Sequence, residues 1–177
     1  MPQGDYFIDH ERGIRWIIIP KCASTTLDVV LGIGEDGKHR CGREEALEHA
    51  DLFTVVFIRH PWQRLVSAME MPFQTAGPNI LARLQRVIVD DRSDDVHVRP
   101  MHTFTDGFRL DFVGRLENMG ADWRVLHHAH RALELPGLPD LVIENAKGAP
   151  PWRSLDYDFG WLRPRYAKDF ELWEAGR

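Results

Sequence analysis

Two cysteines, Cys22 and Cys41, are all that the 177 residues hold. That is too few for the disulfide framework on which small secreted domains depend. Cys22 also lies in a short polar loop, so a structural bridge is not expected there and a reducing compartment is. No apolar run approaches the ~20 residues that a membrane helix requires. Near the start, Asp5, Asp9, His10 and Glu11 interrupt any apolar core of a leader peptide. The expected location is therefore cytoplasmic, with no membrane span. Positive charge is also short: the formal net charge is −5, which argues against a protein that coats nucleic acid. Arginine nevertheless makes up 18 of the 22 basic residues, so local phosphate clamps remain available.

The chain alternates strand-like and helix-like segments without internal repeats. With 44% hydrophobic residues it can bury a substantial core, and its length suits one domain spanning 1–177. Apolar and β-branched runs predict strands at 14–19, 53–58, 111–113 and 141–143. Helical spacing predicts helices at 24–32, 43–50, 61–71, 78–89, 117–131 and 163–174. Such alternation implies an α/β fold with a central, mainly parallel sheet flanked by helices and a ligand at the carboxyl ends of the strands. Residues 90–109 show no clear period and read as a loop over that cleft. The prolines of the last third mark turns but no second domain.

Between the first of these strands and its helix lies Pro20-Lys21-Cys22-Ala23-Ser24-Thr25-Thr26. A strand, a tight loop and a helix start aim backbone N–H groups and the positive end of a helix dipole at the loop. Ser24 or Thr25 is the expected helix cap. Lys21 and three hydroxyls add further donors, so the loop suits an anion. A Walker P-loop does not fit, because its glycines are missing and Lys21 precedes the hydroxyls instead of following a glycine turn.

The strand-like run 53–58 ends in Arg59-His60-Pro61, after which Trp62, Leu65, Val66 and Met69 form one apolar helix stripe. Arg59 at the strand end, with Arg64 and Ser67 beyond it, offers forked and hydroxyl donors for a phosphate. Further on, Phe112-Val113-Gly114-Arg115-Leu116-Glu117-Asn118 reads as a strand that turns at Gly114 into a helix with Asp122 in its first turns. The segment 166–173 lies in the last predicted helix, 163–174.

These four blocks, in this order, resemble the sulfotransferases that use 3′-phosphoadenosine-5′-phosphosulfate (PAPS), in particular carbohydrate and heparan 2-O-type enzymes and their bacterial or phage relatives. The resemblance implies a P-loop-like three-layer fold. It implies that Pro20, Lys21, Cys22, Ala23, Ser24, Thr25 and Thr26 bind the 5′-phosphosulfate, that Arg59 and Ser67 bind the 3′-phosphate, and that Arg115 belongs to the donor site. His60 departs from the Asp or Asn usual after that Arg. The acceptor implied is a hydroxyl, of a carbohydrate or glycolipid, and adenosine 3′,5′-bisphosphate is the product.

Sulfuryl transfer needs a cation near the leaving oxygen, a place that suits Lys21, and a base for the acceptor proton. The sulfuryl group carries less charge than a phosphoryl group, so no metal is implied. A His between the two donor motifs is the base in sugar 2-O-sulfotransferases. His39 lies in that interval and ranks first, ahead of His97 and His102. His97 opens His97-Val98-Arg99-Pro100-Met101, which resembles the family's His-x-x-Pro-Gln element with Met101 in place of Gln. The His127, His128, His130 group lacks the i, i+4 pair of a helical zinc site. Two other readings stay open: an ATP-using phosphotransferase, and a non-catalytic descendant that binds a nucleotide or a partner. The oligomeric state is not legible.

Overall fold

The computed structural model describes residues 4–35, 38–69, 95–142 and 158–176. It contains a four-stranded sheet in the order β1 (Tyr6–Asp9), β2 (Ile14–Ile17), β3 (Phe53–Ile58), β4 (Phe112–Arg115). β1 runs antiparallel to β2, whereas β2, β3 and β4 are mutually parallel. The expected α/β architecture with a mainly parallel sheet is present. β1 was not anticipated. It is a short edge strand between Asp5 and Asp9, and only Tyr6-Phe7-Ile8 carries an apolar signal. The Asp9 carboxylate closes its hairpin by accepting from the Arg12 backbone N–H at 3.1 Å and the Arg12 guanidinium at 3.0 Å, while Gly13 takes the left-handed turn position at φ 64°.

Helices cover both faces of the sheet. Strand residues alternate between faces, so Ile14, Trp16, Val55 and Phe57 meet α1 (Ser24–Leu31) and α5 (Met119–Ala132) in one core. The Trp16 and Trp123 rings stack at 5.8 Å there. Ile17, Val56 and Ile58 face the other way, toward α2 (Arg43–Glu48) and α4 (His102–Thr105). A third apolar cluster joins α3 (Pro61–Met69) to the segment before α6 (Ala167–Ala175), with Trp62 against Phe159 and Phe170. No helix among the described residues is long and apolar enough to cross a membrane.

Three local expectations change. β4 runs through Gly114 instead of turning there. Gly114 pairs with Phe57, and a Cβ at that position would come within 2.4 Å of the Phe57 ring, so the glycine serves close strand approach. Leu141 and Val142 are not in a strand. Within 95–109 the chain is packed: Val98, Met101 and Phe104, three residues apart, are all buried. Ile143 and the expected helix 78–89 lie outside the described residues.

Candidate functional site

β2, β3 and β4 end at the same side of the sheet, and the three sequence blocks meet there. Beyond β2, Ile18 and Ile19 are buried and the chain enters the loop. Lys21 and Ala23 both adopt left-handed backbone, at φ 68° and 66°. Neither is glycine, and such conformations cost energy in ordinary residues, so the surrounding structure holds them in place. Alternating backbone of this kind gathers successive N–H groups into a concave anion nest. The loop thus takes, without glycine, backbone conformations that glycine usually supplies.

The helix cap differs from expectation. Ala23 is the N-cap of α1 and provides no side-chain cap. Ser24, Thr25 and Thr26 are therefore the first three helical residues. Their N–H groups precede the first intrahelical bond, from the Leu27 N–H to the Ala23 carbonyl at 2.9 Å. Thr25 is exposed, Ser24 is half-buried and Thr26 is buried. Cys22 is buried completely, and burial pushes its thiol up to about 12. Its Sγ lies 3.6 Å from the Met101 Sδ, so Cys22 supports the loop from below.

Arg59 leaves the end of β3 and donates to the Lys21 carbonyl at 3.3 Å, which joins the second block to the first. On α3, Gln63 and Ser67 are the positions that are not buried, and their i, i+4 spacing puts them on one open face. Arg64 faces the other way. It is 1% exposed, and its three donor groups reach the carbonyls of Pro20 (2.9 Å), Arg99 (2.7 Å) and Val96 (3.0 Å). It braces the loop and is not available to a phosphate.

Arg115 pairs across the sheet with Ile58, next to Arg59. Its guanidinium lies over the Trp173 ring at 4.3 Å and donates to the Trp173 carbonyl, so it is engaged with α6. Glu117 accepts from the His60 N–H at 2.8 Å, at the start of α3.

The candidate histidines separate. His39 lines a groove with Ile8, Asp9, His10, Glu11 and Glu45. This groove runs along the edge strand β1, from Asp9, opposite Ile14, to Cys41, which bridges Tyr6 opposite Ile17, and not across the ends of β2, β3 and β4. His97 and His102 lie in the segment that Arg64 and Met101 fasten to the loop. His97 donates from Nδ1 to the Asp95 carboxylate at 2.8 Å, and both side chains are substantially exposed. His102 donates from Nδ1 to Asp169 at 2.9 Å, where Asp169 is 1% exposed and the His102 side chain 23%. Among the described residues no three His, Cys, Asp or Glu converge as ligands for a metal ion. His130 is buried and donates from Nε2 to the Arg12 carbonyl at 2.8 Å.

Sequence reasoning missed Asp169, Met101 as a support for the loop, and the bracing role of Arg64. The i, i+3 spacing of Val98, Met101 and Phe104 was an available signal for the packed segment.

Residues 4–150 match the model of the sulfotransferase family, and the chain belongs to that family. No curated protein and no solved structure matches it.

Proposed function

As a sulfotransferase, we propose, this chain uses PAPS as donor and transfers its sulfuryl group to a hydroxyl of a carbohydrate or glycolipid acceptor, within a P-loop-like sulfotransferase fold. The observation that carries the reading is the left-handed backbone at Lys21 and Ala23, with the start of α1 and Arg59 beside it. Such a nest fits a phosphosulfate without glycine. PAPS would supply a sulfuryl group on a phosphate leaving group.

In this reading the backbone of residues 21–26 and the hydroxyls of Ser24 and Thr25 hold the 5′-phosphosulfate. Arg59 and Ser67, beside the loop and on the open face of α3, hold the 3′-phosphate. Lys21 meets the negative charge that grows on the leaving oxygen. Arg115, committed to Trp173, acts by setting the strand end beside Arg59 and not as a direct ligand.

His102 takes the role of base in place of His39. It adjoins Met101, which touches the loop, and its ring is oriented by a buried carboxylate. His97 is the second candidate. As the acceptor oxygen bonds to sulfur, its proton passes to His102, the bond from sulfur to the phosphate oxygen breaks, and adenosine 3′,5′-bisphosphate leaves with the electron pair.

The test is turnover of donor labelled with ³⁵S in the sulfuryl group, against a panel of glycans and glycolipids. Label should pass to at least one acceptor, and His102→Ala should slow it by about 10²–10⁴-fold while His39→Ala does not. Transfer of phosphate from γ-labelled ATP, with none of sulfate, would overturn the reading.

A further inference from the structure

Asp169 lies in the sequence block 166–173, where no role was read for it, yet its buried carboxylate accepts three hydrogen bonds. Its Oδ2 accepts from the Met101 N–H at 2.7 Å. Its Oδ1 accepts from both the His102 N–H and the His102 Nδ1–H at 2.9 Å. The group is 1% exposed and comes from α6, 67 residues beyond His102. A carboxylate buried this deeply keeps its charge only when several donors meet it.

The two bonds from His102 do different things. The backbone N–H fixes where the residue sits, and the ring N–H fixes how the side chain is turned. With Nδ1 protonated and engaged, a neutral imidazole carries its lone pair on Nε2. The His97–Asp95 pair makes the same two bonds, but within one turn and with an Asp95 side chain that is 24% exposed. That carboxylate is part of the turn it would be holding. Asp169 instead belongs to a separate helix, α6, and Trp173 on the same helix lies under Arg115.

We propose that Asp169 is a positioning residue for sulfuryl transfer. It holds His102 in the Nδ1-protonated tautomer, leaves Nε2 to take the acceptor's proton, and faces the imidazolium that results. The inference rests on His102 being the base. It adds that α6 is part of the catalytic apparatus, since α6 supplies the group on which the base depends.

The experiment compares His102→Ala, Asp169→Asn and the double variant, with two readouts besides turnover. These are the affinity for adenosine 3′,5′-bisphosphate and the imidazole ¹⁵N shifts of His102 in alkaline buffer. Asp169→Asn should lower kcat by about 10²-fold or more, the scale on which a misplaced tautomer acts. It should leave nucleotide affinity within about twofold, because the hydrogen bonds of Asp169 go to Met101 and His102. Adding Asp169→Asn to His102→Ala should cost almost nothing further, because a residue that acts through His102 has nothing left to act on. The wild-type ring should show a protonated Nδ1 and a bare Nε2.

An equal further loss in the double variant would make Asp169 merely structural and overturn the proposal. So would a wild-type ring protonated at Nε2, an observation that stands even if Asp169→Asn does not fold. Full turnover by His102→Ala would instead overturn the choice of base, a failure distinguishable from that of Asp169.

Discussion

The Arg64 guanidinium donates to the Pro20 carbonyl at 2.9 Å, across 44 residues of chain, from a side chain that is 1% exposed. Its other two donor groups hold the Val96 and Arg99 carbonyls, so one buried fork joins the loop after β2 to the segment that bears His97 and His102. Removing it would leave three carbonyls without that donor, at roughly 1–3 kcal/mol for each that stays unsatisfied. Arg64→Leu should therefore lower unfolding free energy by about 3 kcal/mol or more, as read by chemical denaturation. Arg64→Lys should recover little, because an ammonium cannot span the fork. A loss below about 1 kcal/mol would show that the brace is not needed.

Burial pushes the Cys22 thiol up to about 12, Cys41 to about 11 and the Tyr166 hydroxyl to about 12. Each folded value is raised, so the folded state holds these protons more tightly than the unfolded chain. Their stabilising contribution is complete below the ordinary thiol and phenol ranges and is lost as pH rises through the folded values. The melting temperature should fall as pH rises from about 9 toward 11, where unfolded thiols and phenols ionise first. In the same experiment, folded protein at pH 8 should resist alkylation at Cys22 and react fully in denaturant. Rapid labelling of the folded state would mean that the thiol is not sealed under the loop.

Much of the fold was legible because the apolar runs 14–19 and 53–58 hold β2 and β3, which are buried but for the half-buried Phe53, and such runs carry a strong sequence signal. The place of the loop was legible because a strand-like run and a helix-like stripe flank it, and it does lie between β2 and α1. Its backbone was not legible. Left-handed residues are usually forecast from glycine, and Lys21 and Ala23 hold that conformation through tertiary support. The positions of the histidines in the fold were not legible. His39 lies in the expected sequence interval, but it lines a groove along β1, an edge strand that the sequence did not show. Asp169 could not be read at all, since nothing local to Lys168-Asp169-Phe170 reports a partner 67 residues earlier.

Lys21→Ala separates charge stabilisation from binding. If its ammonium meets the charge on the leaving oxygen, kcat should fall by about 10²–10³, the scale for one preorganised donor. The nucleotide affinity should fall much less, because the N–H groups of the nest remain. An unchanged kcat with a raised donor KM would reduce Lys21 to a binding residue.

The central claim is that this site recognises a nucleotide bearing phosphates at both 5′ and 3′ positions, and it can be tested without knowing the acceptor. Calorimetric titration should compare adenosine 3′,5′-bisphosphate with AMP on the wild type, Arg59→Ala and Ser67→Ala. A charge-assisted contact contributes roughly 1.5–3 kcal/mol, so the bisphosphate should bind the wild type at least ~10-fold more tightly than AMP. Arg59→Ala should erase most of that preference, and Ser67→Ala part of it. Equal affinities of the wild type for the two nucleotides would contradict the account.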